Sequence, residues 1–254
     1  MSFLTIITIT YNAEEFIGRT IASINQQVSK NFEYLLIDGN SKDKTLEIVN
    51  KHAHLFSKIV SEPDKGLYDA MNKGLQNATG EYVWFMNAGD EITAPEITKK
   101  LFQLIQKEKP DVIYGETLFT TNSGEILGKR SDLTPHKLPE DLTWKKMKLG
   151  MLVCHQSFIV RREIAPSYMK DNLSADIDWE IRSLKASAKT VRFDGILANY
   201  LIGGISNQQL KKSLFDRFLV LKNHFGLIGT LAAHGQILIR GIKKMAGNNG
   251  KKYW

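Results

Sequence analysis

The chain has 254 residues, 43% of them hydrophobic and 24% charged, which is enough apolar content to bury a sizeable core and too much for a disordered chain. A single cysteine, Cys154, excludes an intramolecular disulfide framework and any multi-cysteine zinc site. The net charge of +7 belongs to the end of the chain: residues 207–254 hold nine Lys/Arg against Asp216 alone, which leaves residues 1–206 at −1. A nucleic-acid-binding domain carries its basic face within the fold, so nucleic acid is not the expected partner. A basic tail on a near-neutral body points instead to an anionic surface, with lipid first. Met1–Leu4 leads straight into a strand-like run with no basic and apolar leader, so a reducing, cytoplasmic setting is the expectation.

The first hundred residues alternate strand and helix. Phe3–Thr8 is a β-branched run, and 14–27 has helical spacing in Phe16, Ile17, Ile21 and Ile24. Tyr34–Ile37 reads as a second strand and 42–56 as a second helix. Lys58–Ser61 reads as a third strand, Leu67–Asn77 as a helix, 82–86 as a fourth strand, and 96–107 as a helix stopped by Pro110. Such alternation predicts an α/β fold with a mostly parallel sheet flanked by helices. From Asp111 the pieces become shorter and β-rich: 112–114, 116–121, 126–129 and 157–160, with a polar loop over 133–149. A helix over 177–185, a strand over 190–193 and two closing helices, about 208–225 and 227–244, complete the reading.

In an open parallel sheet, ligands bind beyond the carboxyl ends of the strands. Polar residues cluster there. Strand one ends in Thr10-Tyr11-Asn12, strand two in Asp38, strand three in Glu62-Pro63-Asp64-Lys65-Gly66 and strand four in Asn87-Ala88-Gly89-Asp90. Asp and Asn also serve simply as turn formers, but four such ends in register favour a site for a base, a ribose and a diphosphate. Tyr11-Asn12-Ala13-Glu14 stands where a glycine-rich dinucleotide fingerprint would be. Gly124–Lys129 is one residue too short for a P-loop, and Arg130 occupies the place of its magnesium-binding hydroxyl.

The segments 6–12, Ile37-Asp38-Gly39-Asn40-Ser41-Lys42-Asp43 and 80–90 together resemble the family 2 glycosyltransferases of the GT-A fold. The likeness covers residues 3–95 and runs more weakly to about 205. It implies a Rossmann-like GT-A catalytic domain over 1–206, with a nucleotide-binding half (1–95) and an acceptor half (96–206). A basic, amphipathic helical appendage (207–254) follows. The resemblance implies that Thr10, Tyr11, Asn12 and Glu14 line the nucleoside pocket and that Asp38 bonds the base. Ser41 and Asp43 would shape that loop, while Asp64, Lys65, Gly66 and Asp69 border base and diphosphate. Asn87, Ala88 and Asp90 occupy the family's Asp-x-Asp position, with Asn87 and Gly89 replacing its acids. Asp90 is then the remaining carboxylate for Mn²⁺ or Mg²⁺, an ion that commonly binds through few protein ligands plus substrate phosphates.

The segment 175–182 resembles the family stretch in which an acid opens a helix with an arginine six residues later. That register selects Asp176 as general base and Asp178 as runner-up, although a helix-start acid also complements the helix dipole without any catalysis. His155 and Gln156 resemble a position beside the acceptor pocket; a lone histidine is as readily structural. Cys154 reads as a packed residue. Gly203-Gly204-Ile205-Ser206 is either a loop that closes over the diphosphate or a plain connector.

Residues 226–242 number 17, fewer than the roughly 20 apolar residues of a spanning helix. With Lys243, Lys244, Lys251, Lys252, Tyr253 and Trp254 they read as an interfacial anchor, or as a helix packed on the body or in a dimer. The expected function is inverting transfer from a nucleotide-sugar, a UDP-sugar first, to a saccharide or polyprenyl-linked acceptor in surface polysaccharide synthesis at the inner face of the cell membrane. The alternatives are a non-catalytic nucleotide-sugar-binding protein and a sugar nucleotidyltransferase; 8–18 lacks the phosphate loop that the latter needs.

Overall fold

The computed structural model describes residues 2–203 and 209–247. Its centre is β1 (Leu4–Thr10), buried at every position because helices cover both faces of the sheet. The chain runs outward through α1 (Ile17–Asn25), β2 (Phe32–Asp38), α2 (Thr45–Lys51), β3 (Lys58–Ser61) and α3 (Leu67–Asn77). It then returns to the other side of β1 as β4 (Tyr82–Phe85). β5 (Glu91–Ile92), α4 (Ile97–Glu108), β6 (Val112–Thr120), β7 (Ile126–Lys129), the short α5 (Arg130–Leu133) and β8 (Phe158–Arg161) follow. Last come α6 (Ala175–Ala186), β9 (Thr190–Leu201) and α7 (Leu210–Gly247).

The sheet order is β3-β2-β1-β4-β8-β6-β9-β5, with β7 beside β6. β3, β2, β1 and β4 are parallel, β8 turns antiparallel to β4 and β6, and β9 is again parallel to β6. The fold is α/β, parallel in the half that begins the chain. Strand periodicity of two sorts the core. Ile7, Ile9, Leu35, Ile37 and Phe85 pack against α3 and α6, while Leu4, Ile6, Tyr34 and Trp84 face Ile97, Leu101 and Ile105 of α4.

Two elements differ from the sequence reading. β9 continues to Leu201, through Asp194 and Gly195, where a strand ending at 193 was expected. Its register against β6 jumps from Tyr114↔Arg192 to Glu116↔Ile196, so residues 193–195 bulge opposite Gly115 and the strand resumes. β5, only two residues long, is too short to carry a pattern and exists because β9 reaches far enough to pair with it.

The two closing helices form one helical stretch broken at Gly226, whose φ of 72° and ψ of 167° only glycine adopts without strain. Residues 210–225 dock on the body. Val220 and Leu221 are buried, Asp216 accepts from the Leu173 amide (2.8 Å), and Phe225 stacks on Trp144. Thr230 and Ala233 are buried too, but Leu227, Leu231 and Ile228 (85% exposed) face outward. The second helix is thus both packed on one side and apolar on its free side. No helix among the described residues is long and apolar enough to cross a membrane. Gly204–Ser206, Lys251, Lys252, Tyr253 and Trp254 lie outside the described residues.

Candidate active site

The strand order reverses between β1 and β4, which opens a crevice at their carboxyl ends. The Ala88 amide donates to the Ile9 carbonyl (3.0 Å), so Thr10 and Asn87 flank that crevice. Thr10 Oγ1 and Asn87 Oδ1 are both buried without a hydrogen-bond partner among the described residues. Buried oxygens are rarely left unpaired, so these two keep hydrogen-bonding capacity that the described residues do not take up.

Next to Thr10 in the chain, Tyr11 presents an exposed ring face. Tyr11 is 61% exposed, and a Cβ on Gly39 would stand 2.4 Å from Asp64 Oδ2 and 3.2 Å from Tyr11 Cδ2. Tyr11, Gly39 and Asp64 therefore converge, with glycine required by the close approach. Asp64 is held by the Gly66 amide (2.8 Å), Asp69 accepts from the Lys65 amide (3.2 Å), and the Lys65 side chain is exposed with no partner among the described residues.

The remaining residues expected in the nucleoside pocket build its walls. Asn12 Oδ1 accepts from the Lys42 amide (2.8 Å) and Glu14 from the Lys44 amide (2.7 Å). In return the Asn12 amide donates to Ser41 Oγ (2.8 Å) and the Glu14 amide to Asp43 (3.0 Å). These reciprocal bonds zip the loop after β1 to the loop after β2. Asp38 is fully buried. Its carboxylate accepts from the Asn40 and Ser41 amides (both 3.0 Å), from Ser61 Oγ (2.6 Å) and from Ser41 Oγ. Oδ2 takes three of these donors and Oδ1 one, so Asp38 anchors the loop.

Asp90 is 4% exposed. Its oxygens accept from the Leu201 amide (2.9 Å) and Gln156 Nε2 (2.8 Å), and burial pushes its carboxyl up to about 7. Gly89 has φ 101°, and a Cβ there would lie 2.6 Å from Leu201 Cδ2, so the acid that the Asp-x-Asp pattern places at 89 has no room here. No group of three His, Cys, Asp or Glu side chains is placed to hold a metal among the described residues. The oxygens that could touch a divalent ion are the orphaned Asn87 Oδ1 and the lone pairs that Asp90's two hydrogen bonds leave open. This fits a hard cation that takes most of its ligands from a diphosphate and water.

Asp176 stands at the start of α6, near enough to Tyr200 to act on it electrostatically, as Asp90 also does. Asp176 is half-buried and accepts from the Ile177 amide (2.9 Å); burial pushes its carboxyl up to about 6, against the opposing pull of that amide and the Arg217 charge. A carboxyl at that value is ionised at neutral pH yet basic enough to take a proton.

The three residues expected at the acceptor are each bonded within the protein. His155 is 4% exposed among Phe85, Tyr168 and Trp179, bonded to Tyr168 Oη (3.0 Å), and burial pushes it down to about 4. Its apolar setting excludes the imidazolium form. Gln156 bridges Asp90 and Cys154 on the donor side. Asp178 pairs with Arg182 one turn along α6 (2.6 Å) and ties α6 to α7 through His224 Nε2 (2.8 Å), and those partners hold it below the usual carboxylate range. Burial pushes the Cys154 thiol up to about 12, as expected of a packed residue.

A model of the family described as "Glycosyl transferase family 2" matches residues 5–168, more than half of the chain. The chain belongs to that family. The transferase is 30% identical over 223 residues to a PGL/p-HBAD biosynthesis glycosyltransferase of Mycobacterium bovis, covering 84% of this chain and 82% of the relative. Among solved structures it resembles S. aureus TarS 1–349 in complex with UDP-GlcNAc (TM-score 0.69, 19% identity), over 85% of this chain and 65% of that one. It also resembles the mannosyltransferase PcManGT from Pyrobaculum calidifontis in complex with GDP-Man and Mn²⁺ (TM-score 0.62, 14% identity), over 99% and 76%. At those identities the two structures establish the GT-A fold of the transferase. The Arg130 and Arg217 charges near Asp176, and the tyrosines 68, 168 and 200 around it, carry no motif. Only the helical spacing of 213, 216, 217, 220, 221 and 224 hints that Arg217 points inward.

Proposed function

We propose that the transferase moves a sugar with inversion from a UDP-sugar to a hydroxyl of a lipid-linked saccharide, with Asp176 as the base. The observation that carries the donor reading is the pair of orphaned oxygens, Thr10 Oγ1 and Asn87 Oδ1, at the switch point beside the exposed ring of Tyr11. The Tyr11 face would stack on the base, with Asp64 beside it and Lys65 supplying a cation. The acceptor hydroxyl gives its proton to Asp176 as its oxygen attacks the anomeric carbon, and the bond to the diphosphate breaks on the opposite side. A Mn²⁺ or Mg²⁺ ion carried by the donor and touched by Asn87 and Asp90 would neutralise charge on the leaving diphosphate.

The lipid-linked acceptor draws support from α7. Lys211, Leu214, Phe215, Lys222, Leu227, Ile228 and Leu231 are exposed along it, a mixture of cations and apolar side chains suited to an anionic membrane surface. Titration calorimetry with UDP, GDP and dTDP, each with Mn²⁺ and with EDTA, tests the donor site. UDP binding that Tyr11→Ala weakens and EDTA reduces is the expected result; binding of none of the three nucleotides sinks the site.

A further inference from the structure

Arg217 does not belong to the solvent-facing charge of the chain's end. α7 meets the body along Ser213, Asp216, Val220, Leu221 and His224, positions three and four apart on one helix face. Arg217 lies within that stripe, four residues from both Ser213 and Leu221. Its Nε is buried and has no hydrogen-bond partner among the described residues. A buried polar group left unpaired is costly, and its retention calls for an acceptor that arrives with a ligand.

Arg217 and Asp176 attract one another, and Arg130 stands close enough to oppose the Arg217 charge. The Arg130 guanidinium is already bonded to the carbonyls of Leu152 (2.9 Å) and Met151. Arg217 is therefore the cation beside the candidate base whose donors are not yet committed. Asp176 alone does not explain it, since no hydrogen bond joins the two.

We propose that Arg217 is a catalytic residue delivered by the C-terminal helix, whose guanidinium binds the diphosphate of the nucleotide donor and stabilises it as it leaves. The proposal rests on the donor site described above. In the transfer step the acceptor O–H bond breaks, its proton goes to Asp176, and the oxygen's electron pair forms the new bond to the anomeric carbon. The old bond from that carbon to the β-phosphate oxygen breaks, and its pair remains on the phosphate as added negative charge. A guanidinium fork pairs with two phosphate oxygens, so its contribution grows as that charge develops. The arrangement also gives the tail helix a reason to dock so firmly on α6: without it the diphosphate subsite lacks this cation.

The test compares the wild-type chain with Arg217→Gln and Arg217→Lys. Each is titrated calorimetrically with UDP and with UMP, and hydrolysis of UDP-GlcNAc or UDP-glucose is followed by UDP release. In Arg217→Gln, UDP affinity should fall at least ~10-fold while UMP affinity stays within about twofold, and kcat should fall about 100-fold, the loss typical of one donor to a developing anion. Arg217→Lys should recover only part of both, because an ammonium cannot pair in a fork. Asn223→Ala, exposed on the same helix, should change neither. An unaltered UDP-to-UMP ratio in folded Arg217→Gln overturns the proposal while the donor site stands. If Arg217→Gln does not fold, the same ratio in Arg217→Lys decides. A wild-type chain that binds neither UDP nor UMP overturns the donor site and this proposal together.

Discussion

Replacing Asp176 by asparagine should remove most of the transfer rate and the lower limb of its pH dependence. Moving the carboxyl from its ordinary 3.8 to about 6 corresponds to about 3 kcal/mol against the charged form, an upper bound because one edge of the group meets water. The sign follows from the chemistry: a base must be ionised, and lowering the pH protonates it. Wild-type kcat/KM should therefore fall about tenfold per pH unit below about 6 and flatten above it. Asp90, pushed up to about 7, adds a second bend if its protonation loosens the bonds to Leu201 and Gln156. Asp90→Asn separates the two, since it removes the bend near 7 and leaves the one near 6. Asp176→Asn should lower kcat by about 10²–10⁴ and abolish the lower bend. The assay is initial-rate hydrolysis of UDP-GlcNAc or UDP-glucose between pH 4.5 and 9. A variant within tenfold of wild type, still bending near pH 6, would refute the assignment. The Asp178→Asn profile would then show whether the runner-up carries the proton.

Gly39→Ala places a methyl 2.4 Å from Asp64 Oδ2 and against the Tyr11 ring, so nucleotide affinity should drop at least ~10-fold with little change in Tm, read by calorimetry and thermal melting. Gly89→Asp should lower Tm without raising Mn²⁺ affinity, since φ 101° and the 2.6 Å approach to Leu201 leave no place for the side chain; a gain in metal affinity would contradict that packing. Glu180 is fully buried with both carboxyl oxygens unpartnered, and burial pushes it well above the usual carboxylate range, so Glu180→Met should stabilise by about 1–3 kcal/mol in calorimetric unfolding. An equal loss instead would mean that His155, 4.0 Å away, depends on it. Phe215→Ser with Ile228→Ser should abolish sedimentation of the chain with phosphatidylserine vesicles and leave nucleotide binding intact; undiminished sedimentation would exclude this face as the anchor.

Much of the donor half was legible in residue order because its information is local. The runs 58–61 and 67–77 are strand and helix as their spacing indicates, and the polar strand ends gather at one edge because parallel strands share a direction. The register puts Asp176 first and Asp178 second as the base. Only the packed structure adds that His224, from forty-six residues further on, bonds Asp178. Asp38, Asp90 and Gln156 drew attention as polar residues in the right places. Only the packed structure shows that Asp38 and Gln156 spend most of their hydrogen-bonding capacity inside the protein, and Asp90 part of its own, while Thr10 and Asn87 keep theirs.

The tail shows the same division. Composition correctly located the charge, and glycine at 226 located the break, since both are properties of the residues themselves. Which face of each helix meets the body depends on what α6 and the 144–149 segment present to it. Arg217 thus passes for one more basic residue in a charged tail until α6 brings Asp176 to it. A sequence states which groups are available; burial, which removes water as an alternative partner, decides which of them must find one another.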